Sequence, residues 1–361
     1  MKRFSILFFI AFFLIQVKTN AQGCVAIRSN GNTCNLGKPG ADKGWQLNFN
    51  NRYFKSYKHF VGTEEQKERT EQHTQVINHS YSLDITVTKQ LTSRWSVSAT
   101  VPFISNSRSS LYEHGGNGAG QAGRHSTQSI GLGDARIAAY RWLFNPAKYH
   151  NGNLQFGFGI KLPTGNYKYE DYFFKADGST TIGPVDQSIQ LGDGGTGFTF
   201  ELNGFYNLSP VVGVYENLYY LVNPREQNGV STARGGTVAP LSVQYFYSTM
   251  SVPDQYMARA GVSFMVNKFN LAAGARLEGI PSSDLVGGSK GFRRPGYVLS
   301  GEPVFTYVGK KASIYLAVPV AIERNRTKSY SDKLRSKTGT DVHGDAAFAD
   351  YLINAGVTFH L

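Results

Sequence analysis

The 361-residue chain has few charged residues, few cysteines and almost no long apolar runs. Charged residues make up 17% of the sequence, and the 25 acidic residues are outnumbered by 37 Lys and Arg. A bundle of membrane helices needs about 20 consecutive apolar residues for each helix, and a mean hydropathy of −0.29 is too polar for such a bundle. The length allows two or three ordinary domains or one large β-barrel.

The one strongly apolar stretch lies at the N-terminus. Residues 1–21 begin with Lys2 and Arg3, continue through an apolar centre of about 12 to 14 residues, and end at Ala21. This order is typical of a cleaved secretory signal peptide. A retained anchor helix would need a longer apolar centre, and a lipoprotein signal at Cys24 would need a Leu three residues earlier. We therefore predict that residues 1–21 are removed and that the protein is exported.

The exported chain remains basic. Loss of Lys2, Arg3 and Lys18 lowers the formal net charge of +12 by three. Nucleic acid is nevertheless an unsuitable partner, because an exported protein rarely meets it and the basic residues form no run longer than the pairs at 293–294 and 310–311.

Cys24 and Cys34 are the two cysteines, separated by nine residues of a polar, Gly- and Asn-rich segment. In an oxidising compartment such a pair favours a small structural disulfide over a metal site. No CxxC motif or Cys/His cluster is present. We predict a periplasmic lead segment over residues 22–44 with this disulfide, and neither a metal nor a cofactor.

From residue 45 onward, apolar residues alternate with polar ones, which is the period of a β-strand. A soluble β-sandwich would show the same alternation. The connections favour a membrane barrel, because short turns alternate with long polar loops, as in bacterial outer-membrane barrels. The predicted short turns are at 92–93, 145–152, 208–210, 267–268 and 309–311. The predicted long loops are 56–78, 105–128, 165–196, 223–255, 280–296 and 324–346.

Five turns and six loops predict an all-β fold, a transmembrane antiparallel up-and-down barrel of about twelve strands over residues 45–361. Both ends of the barrel would then lie on the periplasmic side, with apolar side chains facing lipid and polar ones facing the lumen. Ten or fourteen strands are alternatives, because Gly131-Leu132-Gly133-Asp134 and Gly301-Glu302-Pro303 interrupt the alternation. Bulges or bends are expected at Pro303 and Pro319.

The last eleven residues place apolar side chains at every second position from 351 to 361. This pattern resembles the C-terminal signal of outer-membrane barrels, which implies the barrel assembly machinery as a partner and the outer membrane of a Gram-negative cell as the location. Leu361 stands where an aromatic residue is usual.

Charged residues at predicted inward positions are the candidate transport residues, because an ion in a narrow lumen must be paired or hydrated. They form either a structural ion-pair network or a constriction that selects solutes. The predicted lumen residues are Arg52, Asp84, Arg136, Lys161, Glu201, Arg259, Arg276, Glu278 and Glu302, with Glu323 as a further candidate.

One segment carries a specific resemblance. Its motifs are Gly131-x-Gly133-Asp134, then Tyr140-Arg141, then Lys161-Leu162-Pro163-Thr164-Gly165. Because the glycines open a strand rather than a helix, a phosphate-binding loop is excluded. Over about forty residues the segment resembles the outer-membrane transporter family labelled for the meta-pathway of phenol degradation. The resemblance implies a channel for small hydrophobic or aromatic solutes.

Other functions stay open. A structural or surface-binding barrel would act through its long loops. A barrel lipid hydrolase would need a Ser held by a His base, for which His79-Ser80 is the candidate pair. Acidic Gly-rich stretches at 186–197 and 339–350 have oxygen ligands that suit calcium, but neither matches the twelve-residue calcium loop, so we predict ordinary solvated loops there.

Two surface features suggest contacts with the membrane. Aromatic clusters at strand ends predict interfacial girdles, with a stacking path for solutes as the alternative. Their members include Tyr53-Phe54, Trp142, Tyr167, Tyr169, Tyr172-Phe173-Phe174, Tyr219-Tyr220 and Tyr245-Phe246-Tyr247. The basic last loop would suit anionic lipopolysaccharide.

Overall fold

The computed structural model describes residues 44–361, which form a closed antiparallel β-barrel of twelve strands. The predicted fold class is therefore confirmed. The signal peptide, the lead segment up to residue 43 and the Cys24–Cys34 disulfide lie outside the described residues. The strand segments are β1 (Trp45–Val61), β2 (Glu64–Glu65), β3 (Ile77–Gln90), β4 (Trp95–Ser110), β5 (His125–Leu132), β6 (Arg136–Trp142), β7 (Gly152–Lys161), β8 (Glu170–Phe174), β9 (Thr180–Pro184), β10 (Gly197–Asn207), β11 (Val212–Val222), β12 (Gln227–Ser231), β13 (Thr249–Ser251), β14 (Gln255–Val266), β15 (Phe269–Ile280), β16 (Gly296–Val308), β17 (Ala312–Ala317), β18 (Val320–Asn325) and β19 (Ala346–His360).

The barrel closes where its first and last strands pair. β1 pairs with β19 from Gln46↔His360 to Phe60↔Ala346, with register shifts between Phe54 and Lys58. Closure removes the open sheet edge that a lipid environment does not tolerate, because each backbone group must find its partner inside the protein. Each of the five predicted short turns joins neighbouring strands, and each of the six predicted long loops leaves the opposite end.

Two of the twelve wall strands are each built from two segments. β5 and β6 together form the fourth strand, and both pair with β4. The break between them falls on the Gly-Leu-Gly-Asp sequence, as the interrupted alternation predicted. β17 and β18 form the eleventh strand, and Pro319 lies in the break between them.

The tenth strand does not break where its alternation is interrupted. β16 runs continuously through Pro303, and the Pro303 carbonyl accepts a hydrogen bond of 3.2 Å from the Val318 N–H. The irregularity lies instead in the pairing of β16 with β18, where the register shifts between Leu299 and Ser300. The bend therefore belongs to the eleventh strand.

Side chains alternate between the two faces of the wall, as the sequence predicts. On β4 the small polar residues Ser96, Ser98 and Thr100 are buried, whereas Val101 and Phe103 are exposed. The outer surface is rich in exposed apolar side chains, among them Ile137, Phe158, Phe200, Leu271 and Ile314. An antiparallel barrel with an apolar exterior and a polar interior is an outer-membrane barrel.

Three short helices and two small hairpins lie in the long loops. The helices are α1 (Lys67–Glu71), α2 (Pro240–Gln244) and α3 (Tyr330–Ser336). β8 and β9 pair in the third long loop, and β12 and β13 pair in the fourth. Among residues 44–361, no helix is both long and apolar enough to span a membrane.

Candidate functional site: the lumen and its plug

All nine predicted lumen residues lie on inner faces of the wall strands. Eight of them are buried, and Arg259 is partly buried with a side chain 11% exposed. Period-two alternation explains this placement, because each charge shares parity with other inward positions of its strand. Glu323 differs. It is exposed, and its carboxylate accepts a hydrogen bond from the Tyr297 hydroxyl. The register of the pairing between β16 and β18 shifts beside Glu323. Counting alternate positions through the break between β17 and β18 therefore assigned Glu323 to the inner face, and that prediction is wrong.

One group of lumen charges centres on Glu302, whose side chain is 1% exposed. Arg259 and Arg276 are direct cross-strand neighbours on β14 and β15. Both guanidinium groups approach the same Glu302 oxygen, Oε1, at 3.4 and 3.2 Å. Arg276 also donates two hydrogen bonds to Glu278, from Nε at 3.1 Å and from Nη2 at 2.8 Å. Two like charges that would otherwise repel are thus held together by carboxylates.

The second group of lumen charges lies on β1, β3, β6 and β10. Arg52 Nη1 is 3.7 Å from Asp84, and Arg52 Nε donates a hydrogen bond of 3.0 Å to Asn354. The Tyr140 hydroxyl donates a bond of 3.1 Å to Glu201. Arg136, on β6, interacts electrostatically with Asp84 and Glu201. The lumen therefore carries charges of both signs in networks.

A segment of the third long loop folds into the lumen. This plug segment, residues 185–195, buries Val185, Ile189 and Leu191 almost completely. The Ile189 carbonyl accepts hydrogen bonds from Asn106 Nδ2 at 3.3 Å and from Ser129 Oγ at 2.5 Å, both on inner faces of the wall.

Loops from elsewhere on the barrel hold the plug segment as well. Gln187 Nε2 donates a hydrogen bond of 2.8 Å to the Ser251 carbonyl, and Asn228 Nδ2 donates one of 3.0 Å to the Asp193 carbonyl. The segment is thus attached both to the wall at β4 and β5 and to the hairpin of β12 and β13. Sequence reasoning missed the plug segment and interpreted its Gly-rich acidic stretch as an ordinary solvated loop, with a calcium-binding loop as the alternative.

Ion pairs fix the two ends of the plug segment. At one end, Lys161 Nζ donates to the Asp193 carboxylate and lies 3.6 Å from Asp134. At the other end, Arg294 forms a two-bond pair with Asp186, and Arg108 lies 3.6 Å from the same carboxylate. Charge-assisted, bidentate pairs of this kind are geometrically specific as well as strong.

The sequence motifs that carry the family resemblance form the seat of the plug segment. Asp134 Oδ1 accepts the Gly165 N–H at 3.0 Å, and Asp134 Oδ2 accepts the Asp193 N–H at 3.2 Å. A Cβ atom on Gly165 would lie 2.6 Å from the Leu191 carbonyl oxygen, so only glycine permits this approach. The strand break at 133–135 thus places a carboxylate under the plug.

A cavity of about 160 Å³ lies between the plug segment and the wall. Its charged lining comprises Arg52, Arg136, Lys161, Asp134 and Asp193. Its apolar lining comprises Phe54, Ile104, Leu191, Tyr219 and Leu221. Four of the nine predicted lumen residues belong instead to an ion-pair network away from this cavity, namely Arg259, Arg276, Glu278 and Glu302.

The loop carboxylates next to the plug segment stay ionised. Burial by itself would raise the pKa of Asp186, but Arg108 and Arg294 outweigh burial and hold that pKa well below its ordinary value. The pKa of Glu113 is likewise lowered, since Arg108 and Arg234 offset its burial. Neutral pH therefore leaves these anchors charged.

Several predicted girdle residues face inward instead. Trp142, Phe54 and Tyr219 are each less than 10% exposed. Trp142 packs edge-on against Phe205, with ring centroids 6.0 Å apart. The girdle prediction is wrong for these three residues.

The tryptophans on the outer surface are Trp45 and Trp95, each at the first position of its strand. Lys89 lies 4.6 Å from the Trp45 ring centroid, and Arg141 lies 5.4 Å from that of Trp95. These two residues form part of an aromatic belt at the end of the barrel that carries the short turns.

The other candidate sites do not assemble. His79 is exposed and its Nδ1 is 2.9 Å from the Tyr53 hydroxyl, whereas Ser80 donates a 2.8 Å bond to Asn106 on the opposite face. Adjacent strand residues cannot form a Ser–His pair here. Over residues 44–361, no group of three or more His, Cys, Asp or Glu could hold a metal ion.

No protein family matches the chain, and no characterised protein matches it by sequence. The fold is similar to that of an outer-membrane channel from Pseudomonas putida F1, with a TM-score of 0.59 and 12% identity over 93% of this chain and 100% of that one. The translocator domain of the autotransporter NalP from Neisseria meningitidis has a TM-score of 0.44 at 12% identity, covering 90% of this chain and 91% of its own. The toluene transporter TodX of P. putida has a TM-score of 0.40 at 11% identity, covering 91% and 92%. At this identity the first similarity establishes the fold, and none of them confirms the resemblance to the meta-pathway family.

Proposed function

We propose that the protein is an outer-membrane channel that passes small hydrophobic or aromatic solutes through its lumen, with the plug segment as its gate. The observation that carries this proposal is how the lumen is closed. A loop segment crosses it beside a cavity of about 160 Å³, whereas a purely structural barrel would be filled by side chains from the wall. A loop held by a limited set of hydrogen bonds and ion pairs can move without unfolding the barrel.

The solute class draws support from two features. Apolar side chains, including Phe54, Ile104 and Leu221, line one part of the cavity. The segment that resembles the meta-pathway family is the seat of the plug, so the resemblance falls on the part of the lumen that would control passage.

Single-channel conductance in planar bilayers tests the proposal. We expect small or intermittent current steps for the refolded mature protein and larger, steadier steps when residues 186–192 are replaced by a Gly-Ser linker of equal length. The matched control replaces residues 115–121, an exposed Gly-rich stretch of another loop, and should conduct like the parent. Folded but silent barrels in both the parent and the plug variant would overturn the channel proposal.

The runner-up is a structural or surface-binding barrel that acts through its long loops. Many contacts among these loops favour ordered rather than mobile surfaces, for example the pair of Arg293 with Asp284, which is fully buried. A silent barrel in the conductance experiment would make this reading the better one. A lipid hydrolase is the third reading, and a lipase assay of the parent and of Ser80→Ala tests it.

We also propose that residues 1–21 are removed on export, that residues 22–44 form a periplasmic lead with a Cys24–Cys34 disulfide, and that residues 45–361 form the exported barrel. Mass spectrometry of the protein isolated from outer membranes tests both N-terminal points. The mature mass should begin at Gln22, and the two cysteines should become accessible to alkylation only after reduction.

The proposed partners are outer-membrane lipid, lipopolysaccharide and the barrel assembly machinery. The last long loop is less basic than its sequence suggests, because Arg324 pairs with Asp350, Arg326 with Asp332 and Lys328 with Asp341. Lys333 and Lys337 remain exposed on and beside α3. Changing both to Gln should weaken binding to immobilised lipopolysaccharide at low salt if this loop contacts its anionic groups.

A further inference from the structure

We propose that the cavity between the plug segment and the wall is a saturable binding site for an organic carboxylate of about the size of one six-membered ring. The proposal rests on the channel function above and specifies the solute that the lumen recognises. Its basis is the joint presence of two arginines and an apolar surface in a single small cavity.

Volume sets the size of the ligand. A cavity of about 150 Å³ lined by apolar side chains holds one benzene molecule, and the cavity here measures about 160 Å³. It is therefore large enough for a single ring with a small substituent.

The apolar surface gives the ring a place to lie. Phe54, Ile104 and Tyr219 line the cavity from β1, β4 and β11, and each is less than 10% exposed. Leu191 contributes from the plug segment itself. A ring bound here would contact both the wall and the plug.

The charged residues of the lining indicate which substituent the bound ring carries. The two acidic groups of the lining are already held by donors. Asp134 accepts the backbone N–H groups of Gly165 and Asp193, and Asp193 is paired with Lys161. The other charged groups of the lining are the guanidinium groups of Arg52, which lies 3.7 Å from Asp84, and Arg136, which interacts electrostatically with Asp84 and Glu201.

A guanidinium carries five N–H donors in a planar fork, so it can hold a wall carboxylate and a ligand carboxylate at the same time. Arg52 already shares its donors between Asn354 and the vicinity of Asp84. The hydroxyl group of Ser82, which also lines the cavity, adds a further donor. The lining thus offers hydrogen-bond donors to a carboxylate, which can only accept hydrogen bonds.

Binding to the refolded mature protein in detergent tests the proposal, by calorimetric titration with benzoate. Benzyl alcohol has the same ring without the charge, and inorganic phosphate has the charge without the ring. We expect saturable benzoate binding that is about tenfold or more tighter than binding of either comparison compound, because both the charge-assisted bonds and the apolar contact are needed.

Substitutions of a lining residue test whether benzoate binds in this cavity. Arg136→Gln should weaken benzoate binding about tenfold or more, and Arg136→Lys should weaken it less because the charge is kept but the fork is lost. The matched control is Arg141→Gln, five residues along the same strand, whose side chain is exposed on the opposite face and should leave binding unchanged. Heat-modifiable migration on gels would verify that each variant is folded.

The outcomes separate this inference from the channel function. Equal affinity for benzyl alcohol would overturn the carboxylate assignment, and equal affinity for phosphate would overturn the ring-sized organic ligand. Steady conductance without saturable benzoate binding would overturn the site and leave the channel intact. Binding without conductance in the parent or in the plug variant would uphold the site and overturn the channel.

Discussion

Arg294 and Asp186 join two loops that lie 108 residues apart in the sequence, through hydrogen bonds of 2.8 Å from Nη1 to Oδ1 and 2.7 Å from Nη2 to Oδ2. Asp186 belongs to the plug segment, whereas Arg294 belongs to the loop that precedes β16. This pair therefore ties the plug segment to a neighbouring loop.

The substitution Asp186→Asn should loosen the plug. It leaves Arg294 and Arg108 buried without their shared carboxylate, which costs about 3 to 5 kcal/mol in comparable buried pairs. We expect channel openings to become more frequent in planar bilayers. Asp177→Asn, at the exposed turn between β8 and β9, is the control. Unchanged opening in Asp186→Asn would show that the pair does not hold the gate.

The contribution of the pair of Asp186 with Arg294 depends on pH. Because the folded pKa of Asp186 lies well below its ordinary value, the pair contributes fully above about pH 3.9, the pKa of a free aspartate. That contribution is lost only as the pH falls through the lower folded pKa. The difference in opening frequency between the parent and Asp186→Asn should therefore stay constant from about pH 5 to 8.

Gly165→Ala should displace the plug segment by steric contact alone. The new Cβ would lie 2.6 Å from the Leu191 oxygen, a backbone atom that cannot rotate away. We expect larger current steps without loss of the barrel. Gly118→Ala adds the same methyl group where no atom lies within 4 Å and should behave like the parent. Identical currents in both variants would place the seat of the plug elsewhere.

Much of the barrel follows from the sequence because strand alternation is local. The inward positions of Arg136 and Arg276 needed only the period of two. Trp142 shows the same rule misapplied. It is six residues from Arg136, so it has the same parity and must face inward, yet its residue type suggested an outer girdle. For Trp142, the position in the alternating pattern predicted the correct face of the wall, whereas the residue type did not.

The plug segment could not be predicted, since it depends on contacts between residues distant in the sequence. Asn106 and Ile189 are 83 residues apart, and the segment has no strand period of its own. The Gly-rich acidic sequence around Asp193 indicated only a loop. That its carboxylates meet Lys161 and Arg294 depends on the closed barrel, which brings these strands and loops together.

Glu302→Gln should destabilise the barrel. Arg259 and Arg276 face each other across two strands, and one oxygen of Glu302 lies within 3.4 Å of both. Without the negative charge the arginines repel each other in a buried site, so we expect the free energy of unfolding to fall by about 3 kcal/mol. Urea denaturation in detergent, followed by tryptophan fluorescence, measures the loss. Glu64→Gln, at an exposed position of the short strand β2, should show none.

Phe158→Arg tests the lipid-facing surface. Phe158 lies in the middle of β7 and is 49% exposed on the apolar exterior. An arginine near the bilayer midplane costs about 2 to 4 kcal/mol in a transmembrane barrel. We expect less folded protein in lipid vesicles at a given urea concentration. Leu285→Arg, at a loop position 69% exposed, is the control. Equal folding of the two variants would contradict an embedded β7.

His114 should make the hairpin of β8 and β9 sensitive to acid. Its Nδ1 accepts the Phe174 N–H at 3.2 Å, so this bond requires a ring that is unprotonated at Nδ1. Burial lowers the pKa of His114, and nearby Glu113 offsets this only in part, with His125, Arg234 and Asp171 as the other charged neighbours.

Because the folded pKa of His114 lies below that of a free histidine, about 6.5, the neutral ring contributes its full stability above that pH. The contribution is lost as the pH falls through the folded pKa, when Nδ1 gains a proton and can no longer accept the bond. Amide hydrogen exchange over residues 170–184, corrected for its intrinsic pH dependence, should therefore keep its protection above about pH 6.5 and lose protection as the pH falls below that value. His114→Asn should remove this extra loss of protection, while His150→Asn, in an exposed short turn, should keep it. If His114→Asn lost protection with pH as steeply as the parent, another group would have to account for the acid sensitivity.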